Sequence, residues 1–139
     1  MRVSSLMQAP PITCAPTTSV REVCELMAEH RVGSVVVVRG GALVGIVTDR
    51  DIALRVVAAG LSGDIRVERV MTRNVARIMP SADVHEAEAT MRERRIRRLP
   101  VTDSHGAVHG VITVDDVVRH IGSEADDVAD LLVHQRARP

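Results

Sequence analysis

The chain has 139 residues, 45% of them hydrophobic, enough for one compact domain or two very small ones without disulfide or metal staples. Its 18 basic residues, all arginine, balance 18 acidic ones, so no global field draws it to nucleic acid or an anionic membrane. With no Phe, Tyr or Trp it lacks a platform for stacking bases, and with no lysine it lacks Schiff-base chemistry and a P-loop lysine.

No apolar run approaches the roughly 20 residues of a membrane span, and MRVSSLMQAPP has no apolar signal core. Two cysteines, Cys14 and Cys24, are too few for a disulfide framework. A cytoplasmic protein is expected, with both cysteines as free thiols.

In chain order, an extended piece at 12–14 leads into a helix. Ser19 followed by Glu22 gives a helix start, and apolar residues at 20, 23, 24 and 27 share one face. A hairpin then pairs Ser34–Arg39 with Ala42–Val47 across Gly40-Gly41. The Val35–Val38 run predicts a strand buried on both faces. A second helix is expected over Asp49–Ala59, with Gly60 as its cap.

The same order then returns. Val20 aligns with Val84, Met7 with Met71, Pro16 with Pro80 and Met27 with Met91, all at one offset. Beyond position 104 the offset grows by one, because Ser104-His105-Gly106 replaces the two-glycine turn. The second copy predicts an extended piece at Val75–Ile78, a helix opened by Asp83 and Glu86, a hairpin of Arg98–Thr102 with Ala107–Ile112, and a helix over Val114–Ile121 ending at Gly122. Glu88 interrupts that copy's apolar face, and Pro100 must sit at an edge or bulge. The fold class is α/β (α+β): repeats at 1–61 and 65–122, each β-α-β-β-α, and a terminal helix (Glu124–Val133) and tail within 123–139. A unit of roughly sixty residues is marginal alone, so the halves should cover each other about a pseudo-two-fold axis.

Both copies carry Gly-x-x-Thr-x-x-Asp: Gly45, Thr48, Asp51 and Gly110, Thr113, Asp116. One reading is purely structural, a Thr cap with an acid in the first turn. The other is chemical. A helix N-terminus offers N–H groups to an anion, and an acceptor-only carboxylate can hold a vicinal diol, which suits ribose and phosphate. The glycine would admit another backbone or a ligand.

The repeated motif and the RRLPV segment at 97–101 resemble CBS domains, a tandem pair of which is a Bateman module. EHRVG and TDRDI are also similar to small stand-alone actinobacterial CBS proteins such as the hypoxic response proteins. The resemblance covers about residues 3–122. It implies a homodimeric disc and clefts for an adenosyl nucleotide: AMP, ADP, ATP, S-adenosylmethionine or NAD. It implies one cleft in which Thr113 and Asp116 hold ribose, Ile12, Val32, Gly33 and Ser34 line the base, and Arg98 faces phosphate. The other would use Thr48, Arg50 and Asp51, with Ala76, Ile96 and Arg97 on the base side. Arg50 in one copy and Asp115 in the other make the clefts unequal. The expectation is that a triphosphate prefers the Asp51 cleft and that the Asp116 cleft takes a less charged ligand or none.

Other signals point to nothing sharper. RERRIRR at 92–98 reads as a solvated helix end, with nucleic-acid binding not favoured on a neutral chain. His105 and His109 flank a turn but lack the further ligands of a metal set. No nucleophile elbow, P-loop or HExxH occurs, so no catalytic residue is assigned. The expected function is a regulatory ligand-binding module acting on an unknown protein partner. The alternative is a structural, protein-interaction dimer with empty clefts.

Overall fold

The computed structural model describes residues 1–122. The helix expected over Glu124–Val133 lies outside the described residues. Among them, no helix is long and apolar enough to cross a membrane.

The first half forms β1 (Thr13–Cys14), α1 (Val20–His30), β2 (Ser34–Arg39) and β3 (Ala42–Thr48), followed by α2 (Asp49–Ile52). Ser19 caps α1 by accepting the Glu22 N–H at 3.1 Å. The helix turns Val20, Val23 and Met27 inward, and ends at Arg31 in the left-handed conformation (φ 53°). β1 runs parallel to β2, and β2 runs antiparallel to β3. Gly40 and Gly41, with φ of 57° and 81°, supply the two positive angles of a two-residue hairpin loop. Val35, Val36 and Val37 are all fully buried, so β2 is covered on both faces.

The expected helix over Asp49–Ala59 is corrected in its pitch. After Ile52 the chain continues as a π-helical turn, Ala53–Val57, with the Ala58 N–H bonded five residues back to Ala53. It then closes at Gly60 (φ 71°): Leu61 N–H bonds to the Val56 carbonyl and Gly60 N–H to that of Val57.

The second half forms α3 (Val84–Arg94), β4 (Arg98–Thr102), β5 (Val108–Thr113) and α4 (Val114–Gly122). Asp83 caps α3 through the His85 N–H. Arg95 ends it at φ 56°, as Arg31 ends α1. The extended piece expected at 75–78 shrinks to one parallel bridge, Ile78 to Val101. Pro100 explains this. In the first half the N–H of Val36 bonds to the Ile12 carbonyl at 3.1 Å. Pro100 holds the position aligned with Val36 and has no N–H to offer Ala76, so the ladder stops.

The halves exchange segments. A 3-10 turn, Val3–Ser5, puts Val3, Leu6 and Met7 into the core with Val84, Met91, Leu99 and Ile112. Its counterpart, Val67–Arg69, puts Val67, Val70 and Met71 into the core with Val23, Met27, Val35 and Val47. Gln8 then bridges Val111 of β5, and Thr72 bridges Ile46 of β3. The two hairpins also meet, Ala42 bridging Ala107. Each core is therefore completed by the segment that leads into the other half, and the same bridges recur in both halves.

Candidate functional site

The two acids of the repeated motif are held alike by their threonines and differently by a third residue. Asp51 and Thr48 form a reciprocal capping box: the carboxylate accepts the Thr48 N–H at 3.0 Å, and Thr48 Oγ1 accepts the Asp51 N–H at 3.1 Å. Asp116 Oδ2 accepts both the N–H and the hydroxyl of Thr113, at 2.8 and 2.9 Å. The structural role of the motif is therefore real in both halves.

The third partner differs. Arg55, one turn along from Asp51, approaches it at 3.6 Å and also donates to the Val70 carbonyl and Thr72 Oγ1. The acid is thus tied to the segment that crosses β3. Asp116 has Gln8 instead, whose side-chain amide lies 3.3 and 3.4 Å from its two oxygens. Asp116 is 8% exposed, the one carboxylate among the buried polar residues described.

A cleft of about 320 Å³ opens between the halves beside α4. Ile12, Val32, Gly33 and Ser34 of the first half line it, with Gln8, Pro10 and Pro11 along the entry segment. Arg97, Arg98, Val111, Thr113, Val114, Asp115 and Arg119 line it from the second half. Arg31, swung round by its left-handed turn at the end of α1, completes the wall. The Arg98 guanidinium stands against Gly33, where an added Cβ would lie 3.3 Å from Nη1.

The structure thus brings Ile12, Val32, Gly33, Ser34, Arg98 and Thr113 to one cleft, with Asp116 bonded to Thr113 at its edge. Arg97, grouped by sequence with Asp51, lines the cleft beside Asp116. Its carbonyl accepts the Val114 N–H at 2.8 Å, which tethers it to the start of α4. Thr48, Arg50 and Asp51 stand together at the start of α2, while Ala76 and Ile96 pack half-buried against the second core. None of these five lines this cleft.

The lining also bears on the expected preference of the Asp116 cleft for a less charged ligand or none. Asp115 is present, and so are four arginines, Arg31, Arg97, Arg98 and Arg119. Sequence reasoning missed Gln8, Arg31 and Arg119. Gln8 had a signal: it follows Met7 as Thr72 follows Met71, at the repeat offset.

Elsewhere, His109 Nε2 lies 2.8 Å from Asp103, a hydrogen bond that lowers the acid's pKa. Among the described residues no group of three or more His, Cys, Asp and Glu side chains could hold a metal ion.

The CBS domain family model matches residues 3–58 and 67–123. A CBS domain-containing protein of Bacillus subtilis, YhcV, is 36% identical over 115 residues, covering 83% of this chain and 81% of the relative. The CBS domain pair of protein MJ0100, solved with 5′-methylthioadenosine and S-adenosyl-L-methionine, superposes with a TM-score of 0.83 at 29% identity, covering 90% of this chain and 98% of that one. The CBS domain protein PAE2072 of Pyrobaculum aerophilum, solved with AMP, superposes at 0.78 with 31% identity, covering 84% and 89%.

Proposed function

This chain belongs to the CBS-domain family as a tandem pair, and on that premise we propose that it is a regulatory module that binds an adenosine-containing nucleotide between its repeats. The observation that carries the reading is the cleft shared by both halves, lined by aliphatic residues and four arginines. The two structural neighbours solved with adenosyl compounds support the same ligand class.

In this reading Thr113 and Asp116 hold the ribose hydroxyls, and Ile12 and Val32 flank the base, since the chain has no aromatic ring to stack on it. Arg98, with Arg31, Arg97 and Arg119, takes the phosphates. Arginine suits that task because its planar fork donates to two phosphate oxygens at once. Four cations favour AMP, ADP, ATP or NAD over S-adenosylmethionine, whose sulfonium is itself positive. Thr48, Arg50, Asp51, Ala76 and Ile96 would serve a second, weaker cleft. The protein is a binding module and not an enzyme.

Signalling needs a ligand with different affinity for two arrangements of the repeats, read by a partner. A homodimer is the simplest frame for that change, and exposed Leu54, Val57 and Leu61 beside α2 support one. The same side chains favour the second reading, a dimeric interaction module that uses no ligand.

A thermal-shift series with AMP, ADP, ATP, NAD and S-adenosylmethionine separates the two. Ligand at a hundredfold its dissociation constant adds about 2.7 kcal/mol of stability. The expected result is a shift with the phosphate-bearing compounds that exceeds any shift with S-adenosylmethionine. No shift with any of them sinks the nucleotide reading and leaves the interaction module.

A further inference from the structure

The acid at the edge of the cleft is not open to it. Gln8 lines the cleft and Asp116 does not, although the two are bonded. The Gln8 amide presents its NH2 to both carboxylate oxygens, at 3.3 and 3.4 Å. Thr113 occupies Oδ2 twice more. Two neighbouring hydroxyls of a sugar would present the same pair of donors to the same pair of oxygens. A carboxylate this enclosed has no room for both sets.

We propose that Gln8 is a gate on Asp116, its side-chain amide standing where a ligand's vicinal hydroxyls must go, so that a diol engages the acid only by displacing it. The inference rests on the nucleotide reading of this cleft and adds its selectivity. The first half has no such gate. There Arg55 approaches Asp51 from its own helix turn, while Gln8 reaches Asp116 across 108 residues of chain. Gln8 is suited to swing aside because its place is kept by main-chain bonds. Its N–H donates to Val111 at 2.8 Å and its carbonyl accepts from Val111 at 3.1 Å. The residue is exposed, so moving or removing the side chain leaves the core intact.

The test is isothermal titration of the whole chain and its Gln8→Ala variant with AMP and with 2′,3′-dideoxy-AMP, which lacks the diol. Removing a competing hydrogen-bond donor should tighten AMP by roughly three- to tenfold and leave the dideoxy compound unchanged. A merely structural role for Gln8 would move both ligands together. Equal changes for the two, or weaker AMP binding in the variant, overturn the gate while the nucleotide reading stands. Failure of both proteins to bind AMP at millimolar concentration overturns the nucleotide reading, and the gate falls with it.

Discussion

Met71 lies so close over Gly45 that a Cβ there would stand 2.5 Å from its sulfur, and a Cβ on Gly110 would stand 2.7 Å from the carbonyl oxygen of Gln8. The first residue of the repeated motif is therefore a packing device. It lets the crossing segment of the chain lie flat on β3 in one half and on β5 in the other.

From this follows a graded effect of adding one methyl group. Gly45→Ala presses first on the end of a flexible methionine, which can move, and then on the Thr72 carbonyl at 3.1 Å. Gly110→Ala presses first on backbone, which cannot. Overpacking costs about 1–3 kcal/mol, so both variants should unfold at lower denaturant, Gly110→Ala lower than Gly45→Ala. Urea midpoints measure this, and equal or unchanged midpoints would contradict the packing.

Much of this was legible in the sequence for physical reasons. Period, caps and turn glycines act locally, so the offset between copies, the cap at Ser19 and the Gly40-Gly41 loop could be read directly. Which core a segment enters is not a local property. Nothing in the spacing of Val3, Leu6 and Met7 says that they pack beside Ile112 and not beside Val35. Nor does the spacing say that Arg97 lines the cleft beside α4, where its carbonyl accepts the Val114 N–H. Gly45 was read as leaving room for backbone or ligand, and the occupant is the crossing segment.

Pro100 offers a test of why the second sheet is shorter. Pro100→Val supplies the missing N–H at the position where Val36 donates to Ile12 in the first half. The new amide should bond to the Ala76 carbonyl and add a rung beside the Ile78 bridge. Hydrogen exchange should find it protected like the Val36 amide. Fast exchange there would mean that something other than proline ends the ladder.

Cys14 gives a pH dependence in an unusually clear window. Burial pushes its thiol from 9.0 up to about 11, and burial also raises Cys24. The unfolded chain therefore releases these protons first as pH rises. The stability held by the protonated Cys14 thiol is whole below pH 9 and is lost between 9 and about 11. With no lysine or tyrosine, little else titrates there. Unfolding midpoints should fall across that window in the wild type and fall less in Cys14→Ala. Parallel curves would rule out the thiol as the cause.

The exposed row of Leu54, Val57 and Leu61 bears on assembly. If it covers a second copy, Val57→Asp should shift the chain from dimer to monomer with little change in the far-ultraviolet spectrum, because Val57 is 73% exposed. Sedimentation velocity reads the result. A variant that stays dimeric places the contact on another face.

The two motif acids separate the clefts. Asp116→Asn keeps an oxygen to accept from Thr113 but removes the charge that a sugar hydroxyl would bond to. A hydrogen bond to a charged group is worth about 1.5–3 kcal/mol, so AMP should bind tenfold or more weakly at the cleft beside α4. Asp51→Asn frees Arg55 from its acid but touches nothing that lines that cleft, so the first binding event should be little changed. Titration calorimetry on the three proteins distinguishes the cases. Equal losses in both variants would mean that the halves act as one site. A loss confined to Asp51→Asn would move the nucleotide to the other half, away from the four arginines.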